Sequence, residues 1–164
     1  MRHTRAMSVS TQDEAHLRDA IAEAQEARDA GNHPFGAVLV TRAGRVIRAG
    51  NTVVTDRDPT GHAETNLVRL AARELEREEL RHSTLYTSTE PCAMCAGAIY
   101  WAGIGRVVFA LSEQGLIEIV SAVSDEPVLD VPSREVFARG GDTVAVAGPA
   151  LEAEASAVHA GFWG

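Results

Sequence analysis

Two stretches, "DPTGHAET" at residues 58–65 and "STEPCAMC" at residues 88–95, decide how this chain is read. Its two cysteines, Cys92 and Cys95, stand three positions apart directly behind Pro91, and a His-Ala-Glu triplet begins at His62. Zinc favours four-coordinate sites of Cys sulfur and His nitrogen, and a catalytic zinc keeps one position for water. Cysteines at CxxC spacing reach one metal from a single helical turn, and the positive potential at a helix amino end favours their thiolates. His62 supplies a third ligand and leaves one opening. Glu64 follows two residues later, roughly 200° round a regular helix, so it does not converge on the same metal. A carboxylate beside a metal but not bound to it is placed to move protons.

Two other readings of the cysteines are weaker. A redox CxxC normally follows the first strand of a thioredoxin-like unit, whereas this pair follows the third expected strand and leaves His62 and Glu64 unexplained. A closed structural zinc site needs a fourth ligand, and none of His3, His16, His33, His82 or His159 has suitable local spacing.

Outward from these motifs, Thr11–Ala30 reads as a helix with Thr11 and Glu14 as a capping box and Gly31 as its stop. "FGAVLVTRAGRVIRAGNTVV" reads as a hairpin, and His62–Leu80 as one helix whose outer half, "ARELEREELR", is a solvated face. "STLYTS" is a strand, followed by a helix with Pro91 in its first turn and then the strand "GRVVFAL". "SEQGLIEIVSA" fits a short helix and "DEPVLDVPSREVFARGGD" a loop. "TVAVAG" is a last strand, and a helix from Pro149 closes the chain with Leu151, Ala155, Val158 and Phe162 on one stripe. Strands alternating with helices predict one α/β domain over residues 11–164, its sheet mostly parallel after the hairpin, behind a flexible leader at 1–10.

Composition narrows the partners. All fifteen basic residues are arginine and the net charge is −8; from Ser112 onward nine acidic residues face only Arg134 and Arg139. Such a tail repels a phosphate backbone, which makes nucleic acid an unfavoured partner. No apolar run approaches the ~20 residues that span a bilayer. "MRHTRAMSVS" has no apolar stretch behind its basic residues, unlike a secretory signal, and the cytoplasm is the expected location.

The chain resembles the cytidine-deaminase-like zinc hydrolases, in the branch of guanine deaminases, fungal-type cytosine deaminases and tRNA adenosine deaminases. The resemblance runs through "HPFGAVLV", "AGNTVVTDRDPTGHAE", "LYTSTEPCAMCAGAIYWAGIGRVVFA" and a terminal strand and helix. It implies a three-layer α-β-α fold, with a five-stranded mixed sheet flanked by helices. One zinc ion per subunit would be held by His62, Cys92 and Cys95, with Glu64 as proton shuttle. The long 112–142 connection resembles the branch whose last two strands run parallel. A homodimer is implied as well, with the apolar "AIYWAGI" stretch as either interface or core.

Around the substrate the resemblance places Asn51, Phe35, Ala63, Glu113, Phe162 and Trp163. Asn51 has a turn role as its alternative, and Phe35 a core role. Phe162 and Trp163 either staple the last helix to the sheet or close over the ring. The implied reaction is hydrolytic deamination of a small aminoheterocycle, a nucleobase such as guanine or cytosine or a nucleoside, with release of ammonia. Guanine leads on the motifs. Against it stand Gly61, Thr89, the absence of a terminal tyrosine, and Leu116 near the expected place of a further catalytic Asp, with Glu113 and Glu118 as the nearby carboxylates. tRNA adenosine deamination is the rival, and a non-catalytic zinc-binding module a remote one.

Overall fold

One mixed sheet organises the chain, described for residues 7–164 in a computed structural model. Its strands are β1 (Gly36–Val40), β2 (Val46–Gly50), β3 (Thr84–Thr89), β4 (Arg106–Leu111) and β5 (Ala145–Ala147), in the spatial order β2-β1-β3-β4-β5. β1 pairs antiparallel with β2 and β3, whereas β3–β4 and β4–β5 are parallel. The expected parallel closing pair is therefore present.

Helices make the outer layers. α1 (Thr11–Asp29) and α7 (Glu152–Ala157) cover one face, where Leu17, Ala20 and Ala155 pack on Val38, Val108 and Ala147. α1 presses so closely on β1 that a Cβ at Gly36 would stand 2.3 Å from the Ala24 amide nitrogen. The other face carries α2 (Ala63–Glu74), α4 (Ala93–Ala102) and α6 (Ser133–Arg139), with Leu67, Ile99 and Phe137 buried against Leu39, Leu85 and Val107. α3 (Arg77–Arg81) extends from α2, and α5 (Glu113–Ser121) follows β4.

Several expected boundaries shift for local reasons. The cap of α1 is Ser10 with Asp13, one residue before the Thr11/Glu14 box: Ser10 Oγ accepts the Asp13 N–H and Asp13 Oδ2 accepts the Ser10 N–H. The single helix expected from His62 to Leu80 breaks at Leu75, which turns extended (φ −121°, ψ 145°) to bury its side chain, and a Glu76/Glu79 capping box starts α3. Pro91 precedes the helix, whose N-cap is Cys92. The stretch expected to be loop contains α6, anchored by the buried Phe137. The closing helix is shorter than its apolar stripe, beginning at Glu152 after a cis Gly148–Pro149 bond. Of the expected leader, residues 1–6 lie outside the described residues; Met7 bridges to Ala147, and Val9 packs against the core. No helix among the described residues is long and apolar enough to cross a membrane.

Candidate active site

Two helix amino ends meet at the carboxyl end of β3. His62 is the N-cap of α2 and Cys92 the N-cap of α4, with Cys95 in the first turn of α4. His62 Nδ1 lies 3.6 Å from the sulfur of Cys92 and 3.6 Å from that of Cys95. A tetrahedral zinc with Zn–N ~2.05 Å and Zn–S ~2.3 Å has N···S edges of roughly 3.6 Å, so the three donors fit that ion. No fourth histidine, cysteine or carboxylate joins this cluster among the described residues. Cys92 is acidified to about 4 by hydrogen bonds from Cys95 and His62, against the cost of burial. Cys95 is pushed up, chiefly by its bond to Cys92. His62 is raised, first by its bond to Cys92. The Thr65 hydroxyl lies 3.3 Å from the Cys95 sulfur and holds it from the far side.

Glu64, in the first turn of α2, is only 5% exposed and stands outside the three-donor cluster. Burial pushes its pKa up. Its main polar partner is Thr87 on β3, whose hydroxyl donates to Glu64 Oε1 at 2.6 Å and also approaches the Thr89 carbonyl at 2.9 Å. Sheet alternation explains the contact, because Leu85, Thr87 and Thr89 face the α2–α4 layer while Tyr86 and Ser88 face α1.

The cluster opens into a cavity of about 400 Å³. His62, Glu64 and Cys92 lie at its base with Thr89 and Met94, and Phe35, His33 and Trp163 form one wall. Glu113, Leu116, Ile117 and Val120 from α5 and residues 126–129 beyond it also line the cavity. Among the described residues no arginine lines this cavity, and the chain has no lysine. Glu113 is pushed up to about 7, first by burial and then by the negative charges of Cys92, Glu90 and Glu64.

The structure brings three of the six expected substrate residues to the cavity. Phe35, Glu113 and Trp163 line the cavity, and Phe35 also packs on the core. Asn51 is buried outside the lining, with its Oδ1 accepting the Val53 N–H in the turn after β2. Ala63 is fully buried in the core. Phe162 stands behind the wall, edge-on to Trp163 at 4.8 Å with the Arg28 guanidinium over its ring. Sequence reasoning missed His33, Thr87, the 126–129 wall and His159, whose Nδ1 accepts the Trp163 indole N–H at 3.1 Å. Thr87 alone had a signal, since it lies in register with Thr89 on the strand leading to the metal motif.

Residues 10–111 match the cytidine and deoxycytidylate deaminase zinc-binding region. The chain belongs to that family. It is 44% identical to a probable cytosine deaminase of Schizosaccharomyces pombe over 155 residues, 94% of each chain. A tRNA-specific adenosine deaminase of Haemophilus influenzae is 43% identical over 62% of this chain and 59% of its own length. The solved guanine deaminase from Nitrosomonas europaea superposes with a TM-score of 0.72 at 26% identity, covering 96% of this chain and 86% of that one. The protein is thus a zinc-dependent deaminase, a hydrolase acting on a C–N bond of a cyclic amidine, and His62, Cys92 and Cys95 form its candidate metal site.

Proposed function

We propose that this deaminase acts on a small, unphosphorylated aminoheterocycle, with cytosine first and guanine and the corresponding nucleosides next. The observation that carries this reading is the cavity itself. It is large enough for one or two rings, walled by Phe35 and Trp163, and its charged lining groups other than histidine are all carboxyls among the described residues. A nucleotide would bring a phosphate into a field of like sign with no arginine to receive it. Cytosine moves ahead of guanine because the relative that matches 94% of the chain is a probable cytosine deaminase.

When bound at His62, Cys92 and Cys95, zinc supplies an activated water. Glu64 would take the two protons of the attacking water in turn, passing the first to a ring nitrogen and the second to the departing amine. A C–O bond forms, the C–N bond breaks, and ammonia and a ring carbonyl result. The Thr87 hydroxyl fixes Oε1 and leaves Oε2 for proton transfer. Burial suits the role, because a carboxyl raised toward neutrality both accepts and returns protons. Glu113, from the α5 side of the cavity, would meet the ring as an acceptor for a ring N–H.

One catalytic domain over residues 11–164, in the cytoplasm, completes the reading. We assign a homodimer on the strength of Trp101, 79% exposed beside Tyr100 at the end of α4, an aromatic pair that a second copy would cover. Transfer RNA is a poorer fit, given the acidic cavity and the nine acids against two arginines from Ser112 onward, a balance that opposes gripping a phosphate backbone.

The test is an ammonia-release panel of cytosine, guanine, their nucleosides, their 5′-monophosphates and a tRNA anticodon stem-loop. The expected result is turnover of a free base or nucleoside with the monophosphates at least ~100-fold poorer in kcat/KM, roughly two charge-pair penalties. Preference for a monophosphate or for the stem-loop overturns the reading.

A further inference from the structure

Glu90 directly follows β3 and is followed in turn by Pro91 and the metal ligand Cys92. Its side chain is 7% exposed, and both carboxylate oxygens are committed. Oε2 accepts the Glu113 N–H at 2.9 Å; Oε1 accepts the Ser133 N–H at 2.9 Å and the Ser133 hydroxyl at 2.7 Å. These donors belong to the first residues of α5 and α6. Between those two roots runs the segment that supplies one whole wall of the cavity, from Glu113 through Val120 to Leu129.

We propose that Glu90 is a positioning residue, clamping both roots of the 113–133 cavity wall to the turn that carries the metal-ligating cysteines. The proposal rests on the deaminase cavity described above and adds to it the part that holds its substrate-facing wall in place.

Three physical features support the clamp. Helices of nine and seven residues do not hold themselves in water, so α5 and α6 depend on their contacts with the rest of the chain, the bonds at their first residues among them. The N-cap of α6 is Pro132, which offers no side-chain bond, and the Ser133 N–H is satisfied by Glu90 from another part of the chain. A carboxylate at two helix amino ends is favoured by both helix dipoles. The middle of the wall has little else to hold it, since Val123, Val128 and Leu129 are exposed. Glu90 borders the cavity but has no free oxygen for a substrate, which separates its role from that of Glu113.

If the wall is displaced part of the time, apparent affinity falls by the fraction of molecules that keep it in place, while the rate once substrate is bound does not. Glu90→Gln preserves size and can still accept from Ser133, but it turns an N–H toward the Glu113 N–H. Ser133→Ala removes only the hydroxyl bond.

Hydrogen exchange on the zinc-loaded protein is the direct test. Glu90→Gln is expected to speed exchange across 113–133 by ~10-fold or more, the loss of one charge-assisted hydrogen bond, and Ser133→Ala by less. β1 and α2 should exchange as before, with zinc content unchanged. With cytosine as the probe, KM is expected to rise ~10-fold while kcat stays within about threefold. Wild-type exchange through 113–133 in Glu90→Gln would overturn the clamp. So would faster exchange spread over the whole chain with KM unchanged, which marks a purely structural glutamate. Should the wild type release no ammonia from cytosine, the substrate reading fails on its own and the exchange pattern still decides the clamp.

Discussion

Replacing Thr87 with valine keeps the shape of the side chain and deletes the hydroxyl that donates to Glu64 at 2.6 Å. Hydrogen bonds to a buried charged group contribute about 1.5–3 kcal/mol. Lost from the carboxylate proposed to transfer protons, that predicts a fall in kcat/KM of roughly 10- to 100-fold. The direction of the pH effect also follows. Burial already raises the Glu64 pKa, and the Thr87 bond opposes that rise by favouring the ionised form. Valine therefore raises it further, and the acid limb of the kcat/KM profile moves to higher pH. Zinc should stay at one per chain, because Thr87 touches none of the three ligands. The assay is steady-state ammonia release across pH on zinc-quantified wild type, Thr87→Val and Thr87→Ser, with serine restoring most of the activity. An unchanged acid limb in the valine variant, or a loss traced to missing zinc, would refute the assigned contact.

Other consequences concern charge. Glu113, raised to about 7, accepts a ring N–H more strongly once ionised, so KM should fall as pH rises through about 7, and Glu113→Gln should flatten that dependence in initial-rate measurements. Asp13 takes two bonds from Arg106 at 2.8 Å and one from Tyr86, which hold its carboxyl well below 3.8. A carboxyl lowered on folding stabilises the native state above its unfolded pKa and loses that effect as pH falls, so acid unfolding by circular dichroism should steepen below pH ~4. Asp13→Ala should cost about 3 kcal/mol at neutral pH by leaving the half-buried Arg106 unpaired, measured by denaturant titration. Burial pushes His159 down to about 4 from 6.5, so the unfolded chain takes up a proton that the native one refuses. Stability should therefore decline as pH falls from 6.5 toward 4, a slope that His159→Gln should lack.

The three-donor cluster, the place of Glu64 beside it and the layer order were legible because each rests on local spacing: CxxC at a helix start, His-x-Glu at another, and strands alternating with helices. The cavity wall was not. α6 has a single deeply buried apolar side chain, Phe137, too few for a helical period to show, and its first N–H is satisfied by Glu90 from 43 positions away. The break at Leu75 was hidden for the opposite reason, since the apolar and charged pattern runs unbroken while the core draws one leucine inward. Asn51 is a residue type that suits either expected role: its side-chain carbonyl closes the turn after β2, which sequence alone could not choose over a ring contact. Trp163 faces the cavity and Phe162 supports it from behind, a division set by how the last turn meets His33 and His159.

The most direct measurement compares zinc content and ammonia release in wild type and Glu64→Gln. Three donors without Glu64 hold the ion, so both proteins should carry one zinc per chain, while the variant loses at least ~1,000-fold in kcat, the scale of general acid–base catalysis. A variant that loses its zinc, or one that keeps zinc and turns over at the wild-type rate, contradicts the account.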